Sequence, residues 1–227
     1  MQLNADFSVR ASAHGSQLEW LASPMAGVER RMLERMGDEV ARATTIVRYA
    51  PGSHFSAHVH TGGEEFLVLD GVFQDEHGDF PAGSYIRNPP QSSHTPGSDE
   101  GCTIFVKLWQ FDMDDRTQVR LDTNAMAYKA DPERAGVEAI ELFSDERETV
   151  SMERWARGAE VDLSAKHGLE VLVLEGGFQE GGEAFSPQSW LRLPNGAHSR
   201  AQAGPEGAVV WIKRDHLAVP PKAPNPQ

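Results

Sequence analysis

Nine histidines occur in the 227-residue chain, and five of them, His54, His58, His60, His77 and His94, fall within one stretch of 41 positions. The densest part reads HVHTGGEEFLVLDG from His58 to Gly71. Side chains alternate faces along a strand, so His58 and His60 project from one side of an extended segment and can reach one ion. A turn at Thr61-Gly62-Gly63 then lets Glu64 open the next strand and return a carboxylate to the same point, while Glu65 points to the opposite face. A fourth ligand has to come from further along, and His94 follows the turn at Pro81-Ala82-Gly83 and the Pro89-Pro90 corner. Three imidazoles and one carboxylate suit Zn, Fe(II), Mn or Ni better than Ca or Mg. The chain has a single cysteine, Cys102, so neither an internal disulfide nor a multi-cysteine zinc site is available.

The elements that must position these groups read as short strands. Runs rich in β-branched, aromatic and leucine residues cover Ala43 to Tyr49, Glu65 to Leu69, Ser84 to Arg87 and Thr103 to Trp109, each bounded by Gly, Pro, Asn or Asp. The segment VERRMLERMGDEV, from Val28 to Val40, has residue types that favour a helix. Its position in an internal repeat favours strand and turn instead.

That repeat organises the whole sequence. Ala26-Gly27-Val28-Glu29 recurs as Ala135-Gly136-Val137-Glu138, and Arg48-Tyr49-Ala50-Pro51-Gly52 has its counterpart in Arg154-Trp155-Ala156-Arg157-Gly158. The run from Glu65 to Gln74 recurs from Glu170 to Gln179, Ser84-Tyr85-Ile86-Arg87 matches Ser189-Trp190-Leu191-Arg192, and His94 matches His198. A period near 100 residues implies two domains of one fold rather than a solenoid of short repeats. The expected division is 1–115, 116–220 and a Pro-rich tail over 221–227. Evenly spaced short strands at this length predict an all-β architecture, a double-sheet jelly roll or barrel in each half.

The second copy keeps the pattern and loses the ligands. Ser164, Lys166 and approximately Leu169 stand where the first has His58, His60 and Glu64, leaving His198 opposite His94. No metal is expected there, although His167, Glu170 and His198 form an alternative, displaced set. His14, His54, His77 and His216 are expected in solvent, with His54 near enough to the motif to support a ligand from behind. The acidic stretches Asp112–Asp115 and Asp145–Glu148 read as solvated turns, and Cys102 as an inert small hydrophobe.

Gly52, His58, His60, Glu64 and Gly71 match the first cupin motif in order and spacing, and Pro81, Gly83 and His94 match the second. The strings HVHTGGEEFLVLDGVFQDE and FPAGSYIRNPPQSSHTPGSDEGC resemble the ChrR-type cupin, the C-terminal metal-binding domain of anti-sigma factors that answer singlet oxygen and related stress. The resemblance runs from about Leu18 to Phe111 and extends through the repeat to the second half, implying two tandem cupin domains. Carried over residue by residue, it implies His58, His60, Glu64 and His94 as ligands of one divalent ion, with Zn usual in ChrR-type domains and Fe(II) in related cupin dioxygenases. The function it implies is sensory or regulatory, related to anti-sigma factors but without their N-terminal zinc domain, whose histidine and Cys-x-x-Cys pair have no counterpart here. Binding of a sigma factor is therefore not expected. The enzymatic alternative is an Fe(II)-dependent dioxygenase acting on a small diketone-like or phenolic substrate.

A net charge of −13 argues against nucleic-acid or anionic-membrane partners, which call for clustered Lys and Arg. No apolar run approaches the roughly 20 residues of a spanning helix, and the first twenty lack a signal-peptide core, so a soluble, cytoplasmic protein is expected. The remaining candidate partners are a small-molecule ligand and a second copy of the chain.

Overall fold

A computed structural model describes residues 1–38 and 40–224. Three residues of the Pro-rich tail, 225–227, and position 39 of the Val28 to Val40 segment lie outside the described residues. The chain is almost entirely β, with two short 3-10 turns at Gly15–Gln17 and Thr123–Ala125. Val28–Gly37 is a ten-residue strand despite its helix-favouring residues. Pairing with Ala41–Tyr49 along its whole length overrides the local preference, and every β-branched or apolar neighbour on Ala41–Tyr49 up to Val47 is buried.

Two compact units form. One comprises residues 1–5, 19–125 and 222–224; the other comprises residues 6–18 and 126–221. The main sheet of the first runs Gln2–Leu3, Val28–Gly37, Ala41–Tyr49, Cys102–Leu108, Glu64–Asp75, Ser84–Asn88, Val119–Asp122, all antiparallel. That of the second runs Lys129–Ala130, Val137–Ser144, Thr149–Trp155, Arg200–Arg214, Leu169–Glu180, Ser189–Leu193, Ala11–His14. From the second place onward the two orders agree, as the sequence repeat requires; at the first, Lys129–Ala130 pairs with Glu138 and Ala139 as Leu21–Ala22 pairs with Glu29 and Arg30, whereas Gln2–Leu3 pairs further along with Arg35 and Met36. Membership does not follow one cut at 115/116. The last place beside Ser84–Asn88 is taken by Val119–Asp122, and the last place beside Ser189–Leu193 by Ala11–His14. A strand edge left bare would expose a row of unpaired N–H and C=O groups, and these two segments supply the partners.

A jelly roll needs its long strands to turn from one sheet to the other. Glu64–Asp75 does so at Gly71, where φ is +70° and a Cβ would lie 2.1 Å from the Gly101 carbonyl oxygen. Leu169–Glu180 turns at Gly176, φ +64°, against the Gly207 carbonyl oxygen. Only glycine fits such a position. Beyond the bend the first unit's strand pairs with Gly78–Pro81 and, through Gln74, with Gly97.

One face of each main sheet packs an apolar core. Phe66, Val68, Phe73, Ile86, Ile104 and Val106 build it in the first unit, and Leu169, Val171, Val173, Leu191, Leu193 and Val210 in the second. The opposite face carries a buried ladder of charge: Lys107 and Arg87 flank Glu65 on its neighbouring strands, as Lys213 and Arg192 flank Glu170. Two expected solvated turns serve these ladders. Asp115 accepts a hydrogen bond from buried Arg87, and Glu148 accepts one from the Lys213 ammonium at 3.0 Å. The acidic residues are there because a buried cation needs a counter-charge.

Candidate metal centre

His58 and His94 face each other across a two-stranded ladder in which His58–Val59 pairs with Ser93–His94. The strand ends at Val59, yet His60 keeps an extended course because its N–H donates to the Ser92 carbonyl at 2.8 Å and its carbonyl accepts from Gln91 N–H at 2.8 Å. The side chains of His58, His60 and His94 therefore converge, with one ring nitrogen from each inside a mutual 4.8 Å. Their rings stand edge to face at centroid separations of 4.6 to 5.0 Å. Among the described residues this is the only set of three or more His, Cys, Asp or Glu groups brought together in this way.

Glu64 joins them from the start of its strand, its Oε2 lying 3.4 Å from His60 Nε2 and 3.7 Å from His94 Nε2. Asn88, opposite Glu64 in the ladder, donates to that same Oε2 at 3.4 Å. Glu65 faces away and accepts the Tyr85 hydroxyl at 2.7 Å, as strand parity predicts. The turn between His60 and Glu64 is packed from outside: a Cβ on Gly62 would fall 2.0 Å from the Trp109 ring, and one on Gly63 would meet Phe111.

The donor set fits a metal ion. Two ligand atoms about 2.1 Å from a tetrahedral ion stand roughly 3.4 Å apart, the separation found between His60 and Glu64. His60 Nε2 is buried and has no hydrogen-bond partner, a costly state for a polar atom unless something fills the space between the rings. Burial, aided by the His94 and His58 rings, holds the His60 imidazole below its ordinary pKa against the pull of Glu64, which keeps it in the neutral form that ligates. On His94 burial acts the same way, but the hydrogen bond to Asp75 and the charge of Glu64 outweigh it, and the pKa is raised. His60, Glu64 and His94 are buried, whereas His58 and its neighbour Val59 are exposed, so the cluster reaches the surface at His58.

Two residues at the centre carry no ligand motif: Asn88 and Asp75, whose Oδ2 is 3.3 Å from His94 Nδ1. Asp75 had one signal in the sequence, an acidic counterpart at Glu180 in the second copy. His54 is exposed and pairs at the surface with Asp99. His77 is exposed.

In the second unit Leu169 and Leu193 are paired in the ladder as Glu64 and Asn88 are in the first, and both are buried in the apolar core. His198 is exposed and bonds Ser164. The displaced set does not assemble: Glu170 is fully buried and engaged by Trp190 Nε1 and by His216 Nε2 at 2.9 Å. The His216 side chain is thus buried rather than in solvent, and His14 is half-buried, bridging Ser189 and Glu183. In both cases a carboxylate partner from a distant part of the sequence draws the ring in. Cys102 is buried and its thiol is pushed up to about 11 by burial.

Comparison with known proteins agrees with the fold. Residues 8–112 match the ChrR Cupin-like domain family. No curated protein sequence matches the chain. Similar solved structures include a putative dioxygenase from Nostoc punctiforme (15% identity, 100% of this chain and 87% of that one, TM-score 0.68). A putative glyoxylate-induced protein from Pseudomonas aeruginosa (12%, 99% and 95%, TM-score 0.72) and Ylba from E. coli (13%, 95% and 94%, TM-score 0.69) share the same fold. Among the described residues no helix is long and apolar enough to cross a membrane. The chain has the cupin jelly-roll fold, and its residues 8–112 match the ChrR Cupin-like domain model.

Proposed function

We propose that His58, His60, Glu64 and His94 hold one divalent transition-metal ion, Zn in the first instance, and that the protein is a regulatory binding module of the ChrR type which responds to a small molecule at that centre. The observation that carries the reading is the convergence of three imidazole nitrogens, with the Glu64 carboxylate 3.4 Å from His60 and 3.7 Å from His94, around a buried His60 Nε2 that has no hydrogen-bond partner. Neutral imidazole and ionised carboxylate are the forms that ligate, and Asn88 keeps the Glu64 oxygen directed at the rings. Bound there, the ion would supply Lewis acidity and a template for an oxygen-rich ligand. The exposed His58 and Val59 mark the side from which such a ligand would enter.

That open side also favours a second reading, an Fe(II)-dependent dioxygenase acting on a diketone-like or phenolic substrate. Metal analysis of the purified protein, alongside a His58→Ala, His60→Ala double variant, tests the first reading. The wild type is expected to bind one equivalent of Zn and the variant none; a wild type unable to take up Zn, Fe, Mn or Ni refutes it. Oxygen uptake by the Fe(II)-loaded protein with β-diketones or phenols decides for the enzyme.

A further inference from the structure

The turn that follows the Glu64–Asp75 strand holds the segment carrying His94 at three successive side chains. Gln74 accepts the Asp99 N–H through Oε1 at 2.7 Å, Glu76 accepts the Thr95 N–H at 2.7 Å, and between them Asp75 meets the His94 ring itself. Asp75 is a poor residue to bury without reason. Its side chain is 4% exposed, and a carboxylate taken out of water costs several kcal/mol of solvation that its partners must offset. One oxygen is satisfied locally by the His77 N–H at 2.7 Å. The other is directed at His94 Nδ1.

An acceptor at Nδ1 requires the proton to sit there, which leaves the Nε2 lone pair free. His94 Nε2 is the atom that faces Glu64. Of the three clustered rings His94 is the one with a carboxylate at its Nδ1; His58 Nδ1 has the Ser56 carbonyl at 3.3 Å. The second unit supplies an internal contrast. Glu180 follows Gln179 as Asp75 follows Gln74, but it is claimed by Arg10, through Nε at 2.9 Å and a terminal nitrogen at 2.7 Å, and by the Ser199 hydroxyl. The acidic residue persists where the ligands are gone, yet it has become half of an ion pair.

We infer that Asp75 is a positioning residue for the metal centre: it fixes His94 as the Nδ1–H tautomer with Nε2 aimed at the ion, making His94 the anchored ligand. The inference rests on the metal reading above, and its test separates the two. Carboxylates behind a ligating imidazole are typically worth about 10- to 100-fold in metal affinity. In Asp75→Ala, Zn affinity measured by chelator competition is expected to fall by that factor, with Asp75→Asn intermediate and Glu180→Gln unchanged.

The second readout needs no metal. The imidazole 15N spectrum of the apo-protein at pH 8 is expected to show His94 protonated at Nδ1 in the wild type and a mixture of tautomers in Asp75→Ala. If the Ala variant fails to fold, Asp75→Asn carries the test through its affinity and its Co(II) absorption spectrum. Unchanged affinity together with an unchanged tautomer overturns the proposal. A wild type that binds no Zn but loses the tautomer in the variant overturns the metal reading and leaves the positioning of His94 standing.

Discussion

The two units give a direct way to measure what the metal centre costs the fold. Where the first unit pairs Glu64 with Asn88, the second pairs Leu169 with Leu193 at the same rungs. Transplanting that pair, as Glu64→Leu with Asn88→Leu, removes a buried carboxylate and a buried amide that bond each other at a long 3.4 Å. The amide's other bond is to Gln118, an exposed residue that water can satisfy. Each leucine buried adds about 1.5–3 kcal/mol of transfer free energy, against about 1 kcal/mol for the lost hydrogen bond and a packing cost of about 1–3 kcal/mol for shape mismatch beside three imidazoles. The balance favours the variant by about 2 kcal/mol, in line with replacements of buried charge by hydrophobes. Urea unfolding in the presence of EDTA is the assay: with a slope near 2 kcal/mol/M, the midpoint is expected to rise by about 1 M. With excess Zn the order reverses, because only the wild type gains binding free energy. A variant less stable than the metal-free wild type, or one still stabilised by Zn to the same extent, refutes the reasoning.

Other consequences lie away from the centre. Glu153 is buried and accepts bonds from Arg134 at 3.0 Å to each oxygen, Arg214 at 2.8 Å and Trp155 Nε1 at 2.8 Å; burial pushes its pKa up, but the two arginines outweigh it and hold it low. A depressed carboxyl stabilises above its unfolded pKa of about 4.3 and loses that contribution as pH falls through the folded value. Glu153→Gln should therefore cost about 2–3 kcal/mol in urea unfolding at pH 7, discounted for the partial exposure of both arginines, and the gap should close below pH 4; a gap constant with pH contradicts this. Gly71→Ala places a Cβ against the Gly101 carbonyl at positive φ and should lower the stability of the first unit by at least about 2 kcal/mol, seen as a lost or lowered melting transition. Cys102, buried with its thiol near 11, should resist alkylation at pH 8 in the native protein and react at once in denaturant; labelling of the native protein at the rate of a free thiol would contradict its burial.

Much of the centre was legible because it rests on rules that act over a few residues. Strand parity puts His58 with His60 and separates Glu64 from Glu65, and the repeat identifies the strands and aligns Leu169 with Glu64. The reading of Val28–Gly37 as strand also came from the repeat, since residue types alone point the other way. Asp115, Glu148, His14 and His216 were misjudged as solvated for one reason: each is held, wholly or partly out of water, by an opposite or hydrogen-bonding group 28 or more positions away.

The sequence by itself determined the all-β class, the duplication and three histidines with one carboxylate in one copy, because alternation, turn residues and motif spacing are local. Only the tertiary structure decided that residues 6–18 complete the second unit, that Asn88 and Asp75 stand behind Glu64 and His94, and that Glu170 is spent on Trp190 and His216. Those pairings join segments far apart in the chain, and what selects them is the free energy of a buried polar group that must find its partner wherever the fold brings one.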